Sequence, residues 1–280
     1  MYCYVKMEID DAFILNVFKD LEFGSEDNKE KYLQVLITPN AIKMYQTAFT
    51  SKNYDAVNNY DLYEFIGDAI LGNIIVKYFH DNFPQLQCSA EVKTLSRLKI
   101  VHTCSESFSE IALNLNFLPR IKATVEELND DDKVQHLLED VFEAFIGVTD
   151  IILTNHFHLS GIGHQIVKNF IDLIFNNKTI SFAPEDLYDA KTRLKELFDN
   201  KTDANAIYIK FISPIYEEYR DVNSGLMATS LYFKNNKSIK FQGIGKTKPA
   251  REKNAAQQAL DYLKRQGFKT EKQFTPFCAN

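Results

Sequence analysis

Apolar residues recur at three- and four-residue steps from Asp61 to Phe79, where Leu62, Phe65, Ile66, Ala69, Ile70, Ile74 and Ile75 follow a helical period. The same period runs through 90–100, 105–116, 133–153 and 162–176, so the first part of the chain is predicted to be mostly helical. It breaks at Phe182-Ala183-Pro184, because a proline disfavours helix in the residue before it, and a short linker is expected there. Beyond it, Tyr188–Phe198 has helical spacing, Ile207–Ile212, Met227–Phe233 and Ser238–Gly243 alternate like strands, and Ala250–Arg265 returns to helix. The expected architecture is an all-α domain over 1–182, an α-β-β-β-α domain over 187–266 and a flexible tail over 267–280. Met1–Lys29 carries no assignment, and no repeat or low-complexity run is present.

Charge separates the two domains. The chain has a formal charge of -6, but Met1–Asp186 carries 15 Lys+Arg against 28 Asp+Glu, a net of -13, whereas Leu187–Asn280 carries 17 against 10, a net of +7. A basic module can attract phosphate, and an acidic one is suited to holding cations. Cys3, Cys88, Cys104 and Cys278 show neither the paired spacing of a zinc site nor the density of a disulfide scaffold, which fits a reducing compartment. Acids at Glu8, Asp10 and Asp11 interrupt the N-terminus where a secretory signal needs an apolar core, and no apolar run reaches membrane-spanning length. A soluble, cytoplasmic protein without a membrane partner is expected.

Asp61, Glu64 and Asp68 stand at steps of three and four, which places them on one narrow face of an otherwise apolar helix. A second pair, Asp140 and Glu143, is three residues apart among large apolar neighbours. Carboxylates without an accompanying histidine or cysteine suit a hard, oxygen-preferring ion such as Mg²⁺, and such sites catalyse phosphoryl transfer. One acidic pair at helical spacing is ordinarily a solvated face; two pairs in apolar helices weaken that reading and, on composition alone, leave a solvated face and a site evenly matched.

Tyr63-Glu64-Phe65-Ile66-Gly67-Asp68-Ala69-Ile70-Leu71 closely resembles the signature helix of the ribonuclease III family. Glu139-Asp140-Val141-Phe142-Glu143-Ala144 resembles that family's second acidic motif, and Lys93–Lys99, with Arg97, its intervening basic helix. The resemblance covers roughly 30–265. It implies a ribonuclease III endonuclease domain in which Glu64, Asp68, Asp140 and Glu143 are metal ligands, Asp68 and Glu143 are catalytic, and Asp61 is an accessory acid. It also implies Mg²⁺, with Mn²⁺ as substitute, and hydrolysis of double-stranded RNA to 5′-phosphate and 3′-hydroxyl ends with short 3′ overhangs. The family forms a homodimer in which the aromatic residue after the metal-binding glutamate, here Phe65, enters the partner. Taken alone, Phe65 reads more readily as intrachain core.

The second domain resembles a double-stranded-RNA-binding domain, on Asp189–Leu197 for its first helix and on Gly243-Ile244-Gly245-Lys246-Thr247-Lys248 with Asn254-Ala255-Ala256 for its last. Glycines let backbone approach, a helix N-terminus favours phosphate, and lysines supply charge across a groove. The resemblance points to Lys191, Thr192, Glu196, Lys246, Lys248, Arg251 and Lys253 as RNA contacts, with Asn223 and Ser224 loosely placed in a strand loop. Pro249, Arg251 and Glu252 depart from the pattern, so RNA binding is expected to be weaker unless Arg251 replaces the missing charge.

Other features carry less. His156, His158 and His164 lie in a stretch read as loop without partner ligands, and Asn129–Asp132 reads as a turn and helix cap, lacking the alternating ligands of a calcium loop. The competing function is a non-catalytic duplex-RNA binder that sequesters RNA or joins a ribonucleoprotein. Such a protein should lose its metal carboxylates, and all four are intact. A phosphohydrolase of small molecules would leave the basic module without a purpose.

Overall fold

A computed structural model of the chain describes residues 7–23, 25–159, 161–199, 211–222, 225–268 and 270. The chain divides after Thr179 into two compact units, each described by itself below. No helix among the described residues is long and apolar enough to cross a membrane. Cys104 is a free, exposed thiol, whereas Cys88 is disulfide-bonded, against the expectation drawn from cysteine spacing.

The first unit is helical: α1 (Asp11–Val17), α2 (Glu26–Leu36), α3 (Pro39–Ala48), α4 (Asp61–Asn82), α5 (Val92–His102), α6 (Ser105–Asn114), α7 (Val125–Leu128), α8 (Asp131–Phe157) and α9 (Ile162–Asn176). The expected helical stretches all appear, and α1 and the start of α2 fill the segment that carried no assignment. Asp130 caps α8 by accepting from the Asp132 and Lys133 amides, as the reading of Asn129–Asp132 as turn and cap requires. His156 lies on α8 rather than in a loop, His158 ends that helix in a left-handed conformation (φ 49°), and His164 lies on α9.

Every residue from Val141 to Thr149 is buried, so α8 is the axis of the core. Phe145 stacks on Phe18 and Tyr45, with centroids 5.6 and 5.2 Å apart, and lies 5.2 Å from Phe117, while the Tyr45 hydroxyl and Thr149 Oγ1 are 2.9 Å apart. Burying such rings contributes roughly 1.5–3 kcal/mol each and fixes α8 against α1, α3 and α9.

The second unit runs α10 (Pro184–Leu187), α11 (Ala190–Asp199), β1 (Pro214–Arg220), β2 (Met227–Phe233), β3 (Asn236–Gly243) and α12 (Lys248–Arg265). The strands form an antiparallel sheet in the order β1-β2-β3. The expected α-β-β-β-α succession is therefore present after the all-α unit, with corrections. Of the strand expected at Ile207–Ile212, only Phe211 and Ile212 are described, and neither is in a strand; the first strand among the described residues is β1. Ile207 and the expected loop contacts Asn223 and Ser224 lie outside the described residues, as does most of the tail. Leu231 and Phe233 of β2 pack with Leu194, Phe211, Ala255, Ala256, Ala259, Leu260 and Leu263. The alanines let α12 lie close to the sheet. A Cβ on Gly243 would stand 1.8 Å from the Arg251 carbonyl oxygen, so packing within the unit requires this glycine. Pro249 falls in the first turn of α12, behind the Thr247 cap, where proline is tolerated.

Candidate functional site

Helix α4 follows a loop that is pinned from below. Glu127 of α7 is buried, and its carboxylate accepts from Ser51 Oγ (3.0 Å), Asn53 Nδ2 (2.7 Å), and the Thr124 amide and hydroxyl (both 2.8 Å). Burial acts to raise this carboxyl, but these bonds outweigh it and hold it below the ordinary range. The Ser51 amide donates to the Lys122 carbonyl at 2.8 Å, and the Tyr60 amide to the Thr50 carbonyl at 3.0 Å, so the start of α4 is fixed at Tyr60.

The crossing of α4 and α8 is what brings the acids together. A Cβ on Gly67 would lie 1.8 Å from the Glu143 carbonyl oxygen, and one on Gly147 would lie 2.2 Å from the Tyr63 carbonyl oxygen. Two glycines thus let the helix backbones touch reciprocally. Glycine in mid-helix costs about 1 kcal/mol against alanine, and here the close approach offsets it. Gly67 lies between Glu64 and Asp68, and Gly147 is one turn beyond Glu143, so both carboxylate pairs flank one contact.

Their electrostatics show the result. Burial, then the charges of Asp140 and Asp61, push Glu64 up to about 7, opposed by Lys52. Glu143 is 8% exposed; burial first, then Asp68, Glu139, Glu64 and Asp140, push it up to about 8. Asp140 is raised by burial and by Glu139, partly offset by its hydrogen bond from the Tyr60 hydroxyl. Asp61 and Asp68 are exposed at the rim, and Lys52 Nζ stands 3.9 Å from Asp61 Oδ1. Among the described residues, no three His, Cys, Asp or Glu side chains are gathered closely enough to share one ion. The four acids face one another at electrostatic range.

Sequence reasoning missed three neighbours. Glu139 is half-buried, raises both acids of α8 and pairs with His136 Nδ1 at 3.1 Å. Tyr60 is buried and hydrogen-bonds Asp140, and the Lys52 cation opposes the upward push on Glu64 and Asp140. Glu139 adjoins the second motif in sequence and could have been included; Tyr60 and Lys52 lack any signal of period or spacing. Phe65, by contrast, is 78% exposed and Leu62 64% exposed, which overturns the reading of Phe65 as intrachain core.

The contact is open to test. In Gly147→Ala the added methyl meets backbone, which no side-chain rotation relieves, so α4 and α8 must separate. Thermal unfolding should show a loss of about 2 kcal/mol or more. Unchanged melting would show that the helices do not touch there.

In the second unit the expected RNA contacts are unevenly available. Lys246, Lys248 and Lys253 are exposed around the start of α12. Arg251 is 7% exposed: it pairs with Glu218 Oε1 at 2.7 Å and lies 3.4 and 3.5 Å from the carbonyls of Gly245 and Lys246. It therefore does not replace the missing phosphate-facing charge; it ties the loop before α12 to β1. Lys191 pairs with Glu252 at 2.5 Å, Lys248 with Glu218 at 3.2 Å, and the Thr192 hydroxyl donates to Asp189, the cap of α11. Glu196 is half-buried on α11.

Two helices crossing at glycines and presenting facing carboxylate pairs define the chain's class, and comparison with known proteins agrees. The ribonuclease III domain model matches residues 61–150, which contains both pairs. A ribonuclease 3 of Lactobacillus acidophilus is 30% identical over 255 residues, covering 88% of this chain and 96% of that protein. The chain belongs to the ribonuclease III family of endoribonucleases. Putative ribonucleases 3 of Frog virus 3 and of Invertebrate iridescent virus 6 are 32% and 29% identical over 239 and 259 residues, covering 85% and 87% of this chain. The chain spans 60% of the length of the first and 84% of the second. The nuclease domain of ribonuclease III from Campylobacter jejuni, a solved structure, matches 54% of this chain and 99% of its own at 27% identity, with a TM-score of 0.43.

Proposed function

We propose that the chain cleaves double-stranded RNA by metal-assisted phosphodiester hydrolysis, leaving 5′-phosphate and 3′-hydroxyl ends. The observation that carries this reading is the double-glycine crossing, which sets Glu64 and Asp68 against Asp140 and Glu143 and pushes the half-buried Glu64 and the buried Glu143 toward neutral pH. Four hard oxygen donors with excess negative charge fit Mg²⁺, with Mn²⁺ as substitute. Bound there, such an ion would supply the Lewis acidity to activate a water and to stabilise the departing 3′ oxygen.

The chain's own residues do the rest. Glu64, Asp68, Asp140 and Glu143 are the ligands, with Asp68 and Glu143 at the reacting phosphate. Glu143 and Glu64 hold protons that a cation displaces, so metal affinity rises with pH. Tyr60 orients Asp140 from below, and Asp61 adds charge at the rim. In the second unit Lys246, Lys248 and Lys253 grip phosphate, with Lys191, Thr192 and Glu196 of α11 facing the minor groove. Mapping the ends of duplex fragments tests the chemistry: ligatable 5′-phosphates support it, and 5′-hydroxyls would overturn it.

The exposed Leu62 and Phe65 lie three residues apart on the face of α4, and their exposure supports a homodimer centred on that helix. Each Phe65 buried by a partner contributes roughly 1.5–3 kcal/mol, and two-fold symmetry counts it twice. Phe65→Glu should therefore be a monomer by light scattering where the parent is a dimer. A monomeric parent, or a dimer unaffected by this change, would contradict the assignment.

A further inference from the structure

The second unit combines exposed lysines with an acid placed among them. Glu218 projects from β1, and its two carboxylate oxygens serve two cations of α12: Oε1 accepts from Arg251 Nη2 at 2.7 Å and Oε2 from Lys248 Nζ at 3.2 Å. Two anionic oxygens shared between a guanidinium and an ammonium is the arrangement a backbone phosphate would adopt at the same place. These two cations hold the Glu218 carboxyl below its ordinary value through hydrogen bonds and charge. Lys246, two residues before Lys248, makes no ion pair among the described residues. Glu217, next along β1, faces elsewhere and accepts from the Tyr232 hydroxyl of the adjacent strand.

We propose that Glu218 is an internal phosphate surrogate that limits the affinity of this module for duplex RNA. It neutralises Lys248 in the free protein, so that RNA must displace a carboxylate to gain that contact, while Lys246 is available at once. The proposal rests on the reading of the second unit as the RNA grip. It gives a physical reason for weakened binding that differs from a lost basic residue: the charge is present and occupied. Arg251 stays in place without Glu218 through its proximity to the Gly245 and Lys246 carbonyls, so the surrogate can be removed while the loop keeps an anchor.

The test measures binding of a labelled RNA duplex to the full chain in EDTA at several salt concentrations. Glu218→Gln keeps the side-chain shape and should bind roughly three- to tenfold tighter near 0.15 M salt, with a log–log salt slope steeper by about 0.9, the mark of one added phosphate contact. Glu217→Gln removes the same charge from the same strand and should change affinity less than about twofold. A second arm leaves Glu218 untouched. Lys246→Ala should weaken binding severalfold and Lys248→Ala by a clearly smaller factor, because Lys248 grips phosphate only after leaving Glu218, whereas adding Lys248→Ala to Glu218→Gln should abolish the gain. Equal effects of Glu217→Gln and Glu218→Gln, or equal losses from Lys246→Ala and Lys248→Ala, would overturn the proposal while leaving the module as the grip. If Lys246→Ala is silent as well, the reading of the module as the grip fails with it.

Discussion

Glu143→Gln is expected to abolish cleavage, by a factor of about 1,000 or more, while duplex binding persists. Such a factor corresponds to about 4 kcal/mol of lost transition-state stabilisation. The substitution is nearly isosteric at a side chain only 8% exposed, so the packing around α8 survives. Burial and four neighbouring acids already push Glu143 up to about 8, which leaves it largely protonated at neutral pH in the metal-free protein. A neutral amide therefore imitates the resting state and should not lower the melting temperature. What it cannot do is shed a proton and offer an anionic oxygen to a cation. Loss of turnover with unchanged melting and unchanged RNA affinity is the expected combination; near-parental cleavage would remove Glu143 from the site.

Deleting Leu187–Asn280 is expected to weaken duplex binding by about tenfold to a hundredfold at moderate salt and to flatten its salt dependence. The deleted segment carries +7, and what remains carries -13 and should repel phosphate. The first unit has its own core around α8 and should keep its helical signature when isolated. Cleavage should fade less than binding when salt is low and enzyme abundant, because a cation held by the proposed carboxylate site and local bases such as Arg97 would still offer a foothold. Binding by the truncated chain with the same affinity and salt slope as the whole would show that the basic unit has another task.

The helices that carry the acids were legible because their apolar period is long and strong, and because spacing alone put Asp61, Glu64 and Asp68 on one face. The meeting of α4 and α8 was not, since a contact between residues 67 and 143 leaves no local periodic signal. Gly67 and Gly147 could have suggested it, because each sits in mid-helix at a cost that asks for a packing reason. Phe65 illustrates the opposite failure: composition places a phenylalanine inside, and only the fold shows the ring bare. Arg251 was legible as a departure but not as a tether, since its partner Glu218 lies on β1, which alternation did not find. The run Ile207–Ile212 alternates well, whereas Pro214–Arg220 begins with proline and carries two adjacent acids, which tertiary pairing with β2 overrides.

If the facing carboxylates make a metal-dependent, duplex-specific endonuclease, cleavage must require both a divalent ion and a duplex. A labelled RNA duplex and its matched single strand, each incubated with the intact chain in Mg²⁺ or in EDTA, decide this. Internal cleavage of the duplex in Mg²⁺ alone is expected, with the single strand intact and EDTA abolishing the reaction. Cleavage that persists in EDTA, or that consumes the single strand equally, would contradict it.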